Sequence, residues 1–106
     1  MKSKRALTRR EILELLHRHQ HSLKHFQVKK IGLFGSYAVG KQGRKSDLDF
    51  LVEFDKPTFD NFIGLINYLQ KLFGKKVDVL TPEGVKSIRI EEVARNIERN
   101  VTYVKV

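Results

Sequence analysis

Two aspartates interrupt stretches that otherwise read as buried β-strand, and they restrict the folds open to this chain more than any other feature. Asp49 lies inside Leu48-Asp49-Phe50-Leu51-Val52, and Asp78 lies between Val77 and Val79. Aspartate is disfavoured in strands, and a buried carboxylate needs compensation. A third, Asp47, stands two residues before Asp49. Side chains at i and i+2 of a strand point to the same face, so Asp47 and Asp49 sit side by side. If the strand carrying Asp78 pairs beside theirs in suitable register, three carboxylates share one face. They would repel one another and suffer desolvation unless cations lie between them. An isolated aspartate at a strand end is an ordinary turn former, but that reading does not account for Asp49 and Asp78 together.

The surrounding pattern is α/β, with a small sheet covered by helices. Thr8-Arg9-Arg10-Glu11 reads as a capping box, opening a helix over residues 8–26 whose apolar positions are Ile12, Leu15, Leu16, Leu23 and Phe26. Lys30–Phe34 reads as a short buried strand ending at Gly35, and Leu48–Phe54 as the clearest strand. Between them, Gly35–Ser46 reads as a loop with a short helix inside it. Asp60 is positioned to cap a second helix bearing Phe62, Leu65, Ile66, Leu69, Leu72 and Phe73, with Gly74 as its stop. Of these, Phe62, Leu65 and Leu69 are assigned to the core, with Leu33 and Phe50. Lys76–Leu80 is a third strand, and Thr81-Pro82 starts a further helix carrying Ile90, Val93, Ala94 and Ile97. Thr102–Val106 closes as a last strand. A single domain over 1–106 is expected, with a catalytic core at 29–80 between the amino-terminal helix and an 82–106 helix and strand.

Gly35-Ser36 falls where a phosphate-binding turn belongs. Glycine lets backbone approach a phosphate closely, and a following helix start offers amides and a positive dipole end. The Ser36 hydroxyl can donate to a β- or γ-phosphate oxygen. Lys41, Arg44 and Lys45 share the loop and could offset triphosphate charge, without the sequence showing which one reaches it. Mg²⁺ suits the aspartates, being a hard ion that takes a few carboxylates, several waters and phosphate oxygens. Two such ions about 4 Å apart can activate an attacking hydroxyl and stabilise leaving pyrophosphate.

Composition narrows the remaining classes. The chain has 106 residues and no cysteine, which removes disulfides, thiolate metal sites and thiol catalysis. No apolar run is long enough for a membrane span, and the basic amino terminus leads into a polar helix, so a soluble cytoplasmic protein is expected. The net charge of +9 favours anionic partners. Nucleic acid is a candidate but not the favoured one, because no aromatic-basic stripe marks a stacking platform.

Two other motifs compete. Gly35-x-x-x-x-Gly40-Lys41 nearly matches a P-loop but has Gln42 where a Ser or Thr would bind Mg²⁺. His17, His21 and His25 share a helix face and could hold a transition metal, but that face is solvent-facing by pattern. His19 falls on the apolar stripe and is expected to pack.

Gly35-Ser36, ten residues, then Asp47-Leu48-Asp49 resembles the signature of the DNA polymerase β-like nucleotidyltransferase superfamily. Gly35-Ser36-Tyr37-Ala38-x-Gly40 with Ser46-Asp47-Leu48-Asp49-x-Leu51-Val52 and Lys76-Val77-Asp78-Val79-Leu80-Thr81-Pro82 is similar to its minimal nucleotidyltransferases (MNT). The resemblance extends over roughly residues 8–104. It implies a polymerase β-like α/β core, a small mixed β-sheet flanked by helices, and a place among the MntA-type antitoxins of HEPN/MNT toxin–antitoxin pairs. Such proteins transfer AMP from ATP to a tyrosine of a HEPN toxin. By that pattern Asp47 and Asp49 would hold two Mg²⁺ ions, Asp78 would hold the ion that activates the acceptor, and Gly35-Ser36 the triphosphate. No segment is left over for an acceptor-binding domain, so the acceptor is expected on a partner protein. The alternative is a non-catalytic antitoxin that neutralises its partner by binding alone.

Overall fold

Thr8 begins the first helix as its sequence predicts. Its hydroxyl accepts from the Glu11 amide at 3.1 Å, and the Thr8 amide donates to the Glu11 carboxylate at 3.0 Å. Helix α1 (Arg9–Arg18) ends early, however, and a separate α2 (Gln20–His25) follows. At the junction, His19 leaves helical geometry with φ −103° and ψ 24°. The single helix expected to residue 26 is therefore two. The computed structural model describes residues 7–40, 47–86, 95 and 101–106.

Strand β1 (Val28–Phe34) runs into a single 3₁₀ turn, Gly35–Tyr37. Strand β2 (Leu48–Phe54) covers the expected span. Helix α3 (Phe59–Phe73) is capped by Thr58, whose hydroxyl accepts from the Asn61 amide at 3.2 Å. Asp60 does not cap it; it lies in the first turn, where its charge still favours the helix amino terminus. Gly74 ends the helix in the left-handed region at φ 65°. Strand β3 (Val77–Leu80), α4 (Pro82–Lys86) and β4 (Thr102–Lys105) complete the described elements. Thr81 accepts from the Gly84 amide at 3.1 Å and so starts α4. Ile90, Val93, Ala94 and Ile97 lie outside the described residues.

The sheet order is β3-β2-β1-β4, with β2 and β3 parallel and the other pairs antiparallel. This is the mixed sheet expected, and the antiparallel β1–β2 pairing rules out the P-loop arrangement. One face packs under α1, α2 and α3. Ile12, Leu16, Leu23, Leu65 and Leu69 meet Ile31, Leu33, Leu48, Phe50 and Val52 there, all fully buried. Phe62, assigned to the core from sequence, packs at its margin. The alternation places Leu48, Phe50 and Val52 inward and sends Asp49 to the opposite face. That face carries a smaller cluster of Phe34, Leu51 and Val85, with α4 over it. No helix among the described residues is long and apolar enough to cross a membrane.

Candidate active site

Register decides whether the carboxylates meet. Val77 and Val79 are buried in the main core, which forces Asp78 onto the other face. In the parallel pairing, Asp78 is the direct partner of Asp49. On the other side of β2, Asp49 faces Phe34, the residue before Gly35. Asp47 precedes β2 by one residue and is half-buried, as is Asp49, while Asp78 is exposed. The end of β1, the start of β2 and the start of β3 thus converge at one edge of the sheet.

Gly35 is fitted to this corner in two ways. Its backbone lies in the left-handed region at φ 75°, where a side chain costs energy. A Cβ at this position would also strike the Asp49 carboxylate. Glycine therefore lets the Asp49 side chain lie against the turn. Ser36 follows, half-buried in the turn. Among the described residues, the short helix expected in this loop is a single 3₁₀ turn, so its dipole contribution is small. The amides of Ala38 and Val39 turn back to the Gly35 carbonyl at 3.1 and 3.4 Å. Lys41, Arg44 and Lys45 lie outside the described residues.

The electrostatics of the corner match the chemistry of its residues. The Asp49 carboxyl is pushed up from 3.8 to about 6, first by burial and then by the charges of Asp78 and Asp47. Glu53, on the same strand and face, is paired with Lys29 and Lys30 at 3.7 and 3.8 Å. None of the three aspartates forms such a pair with a described lysine or arginine. Among the described residues, no group of three or more acidic, histidine or cysteine side chains is placed to hold a metal ion.

One contact lay beyond sequence reasoning. Arg9 reaches from α1 to donate to the Ala38 carbonyl at 3.4 Å, tying the helix to the turn that begins at Gly35. A separation of 29 residues leaves no local signal for it. The histidines resolve simply: His17, His21 and His25 are exposed, and His17 shares a hydrogen bond with Gln20 at 2.8 Å. His19 is half-buried and bonded through Nδ1 to the Tyr68 hydroxyl at 2.6 Å.

Comparison with known proteins agrees with this geometry. Residues 11–104 match the family model described as a nucleotidyltransferase domain. A Methanocaldococcus jannaschii protein provisionally named a protein adenylyltransferase is 46% identical over 98 residues, 89% of this chain and 95% of its own. The protein adenylyltransferase MntA of Thermococcus cleftensis is 39% identical over 100 residues, covering 92% of this chain and 97% of its own. Among solved structures, one described provisionally as a minimal nucleotidyltransferase superposes with a TM-score of 0.63 at 24% identity, covering 85% of this chain and 93% of that one. A toxin–antitoxin structure with AMP-PNP gives 0.59 at 22% identity, covering 92% and 72%. The sheet thus has the fold of the solved minimal nucleotidyltransferase, and the chain belongs to the nucleotidyltransferase domain family.

Proposed function

We propose that this chain is a protein adenylyltransferase that moves AMP from ATP onto a hydroxyl, a tyrosine of a HEPN-type toxin, and so acts as an antitoxin in the cytoplasm. The observation that carries the reading is the register of Asp49 beside Asp78, with Gly35 lying against the Asp49 carboxylate. The names of the relatives, protein adenylyltransferases and a toxin–antitoxin structure, support the acceptor class.

The chain's own residues divide the work. Asp47, Asp49 and Asp78 would hold two Mg²⁺ ions, and their mutual repulsion is what such charge would relieve. Bound there, Mg²⁺ supplies Lewis-acid polarisation of the phosphates and lowers the cost of ionising the acceptor hydroxyl. Gly35 leaves the backbone open to the triphosphate, and Ser36 donates its hydroxyl to a phosphate oxygen. Lys41, Arg44 and Lys45 belong to the same loop in sequence and offset its charge. The acceptor oxygen bonds to the α-phosphorus as the bond from that phosphorus to the bridging oxygen breaks. Pyrophosphate leaves, and the hydroxyl proton is released.

The test is incubation with α-labelled ATP, Mg²⁺ and the protein encoded beside this one, against an Asp47→Asn/Asp49→Asn control. Label on the partner only with the intact carboxylates is the expected result. A stable complex without label would sink the transfer reaction and favour neutralisation by binding alone.

A further inference from the structure

A groove of about 670 Å³ runs along the solvent side of α1, on the helical layer of the sheet. Its rim is basic: Arg9, Arg10, His17 and Arg18 line it. Among the described residues a single acid shares that rim, Glu14, and it lies 4.0 Å from Arg10. Leu13 and Val104 form an apolar floor. Val104 belongs to β4, the edge strand, and pairs with Ile31 on the face that packs the main core. The groove is therefore on the layer opposite Asp49 and Asp78, so the nucleotide reading does not account for its charge.

We propose that this groove docks an acidic, amphipathic segment of a partner protein. Three guanidinium groups around one acid leave an excess of forked donors, which match carboxylates in pairs. The apolar floor gives such a segment something to cover besides charge, and burial of that floor is what a purely ionic ligand would forgo. Nucleic acid is the weaker match, because among the described residues no phenylalanine, tyrosine or tryptophan lines the groove to stack a base. Arg9 also links the groove to the turn at Ala38, so an occupant would rest beside a residue that holds that turn. The docking does not depend on nucleotidyl transfer and stands or falls separately from it.

The experiment measures binding of a fluorescein-labelled helical peptide with glutamates on one face and leucines on the other, in about 150 mM salt. The native chain is compared with Arg10→Glu/Arg18→Glu and with a charge-matched control, Lys24→Glu/Lys71→Glu. All four positions are exposed, and the Arg10 side chain is 90% accessible, so folding is left intact. The expected result is a loss of about tenfold or more in affinity for the groove variant and less than about twofold for the control. Equal losses in both variants, or no binding by the native chain, would overturn the proposal. So would a labelled single-stranded oligouridine that binds the native chain more tightly than the peptide and is lost in the groove variant, since the groove would then belong to nucleic acid.

Discussion

Burial and two like charges act on the Asp49 carboxyl in the same direction, and the consequence is a testable dependence on pH. Its folded value of about 6 lies above its ordinary 3.8. The folded chain therefore holds this proton more tightly than the unfolded one, and stability falls as pH rises through that interval. Above it, the carboxylate is charged in both states and the whole penalty persists. Asp49→Asn keeps the shape and removes the charge. In metal-free buffer at pH 7 it should raise the melting temperature by about 4 °C, taking roughly 1 kcal/mol once solvent screening of a half-buried group is allowed for. The gain should shrink towards nothing by about pH 4; a gain that is the same at both pH values would show that charge is not its cause. Gly35→Ala tests the neighbouring contact. Left-handed backbone costs an alanine roughly 1–2 kcal/mol, and the collision with Asp49 adds to it. Adding Asp49→Ala should recover the collision part only, so the double variant should be more stable than the two single effects predict when summed. Additive losses would mean that the turn and the carboxylate do not touch. The shared face of Asp47 and Asp49 was legible from spacing alone. Their meeting with Asp78 and Gly35 was not, because it depends on the registers of two different strand pairs.

At the scale of elements, local signals were read well and tertiary ones were not. The capping box at Thr8, the left-handed stop at Gly74 and the Thr81-Pro82 start are properties of a few adjacent residues, and each forms as written. Asp60 is the cap expected from the sequence, but Thr58, two residues earlier, takes that position; both residue types serve there. The division of the first helix at His19 has no breaker in the sequence, neither glycine nor proline. What marks the junction is a distant partner: the His19 ring bonds the Tyr68 hydroxyl of α3, and Phe26 lies against the same tyrosine with ring centroids 5.7 Å apart. Gly64 makes room for this cluster, since a Cβ there would meet the Phe26 ring at 2.8 Å. Tyr68→Phe removes the hydroxyl and leaves the half-buried His19 without that partner. The expected cost is about 1 kcal/mol, seen as a lower urea midpoint with an unchanged slope. An unchanged midpoint would mean that the bond only replaces one to water.

Among the described residues, the two faces of the sheet are packed unequally. One is sealed by three helices over the main cluster, and the other gives its apolar residues to a small group around Phe34, Leu51 and Val85. The main cluster lies on the side away from Asp49 and Asp78, so these carboxylates can carry charge without disturbing it. It follows that the fold should not need metal: chelation with EDTA should leave the far-ultraviolet circular dichroism spectrum unchanged. Ligand binding, by contrast, should add to stability by mass action. If Mg²⁺ and a non-hydrolysable ATP analogue bind the folded chain only, about a hundredfold excess over the dissociation constant adds roughly 2.7 kcal/mol. The melting temperature should rise accordingly, and rise less with the analogue alone, because phosphate charge would then face the uncompensated carboxylates. In Asp47→Asn/Asp49→Asn the dependence on Mg²⁺ should disappear, although some nucleotide affinity can persist through the turn at Gly35. An equal Mg²⁺-dependent rise in that variant would place the ion elsewhere on the molecule and detach the carboxylates from the nucleotide.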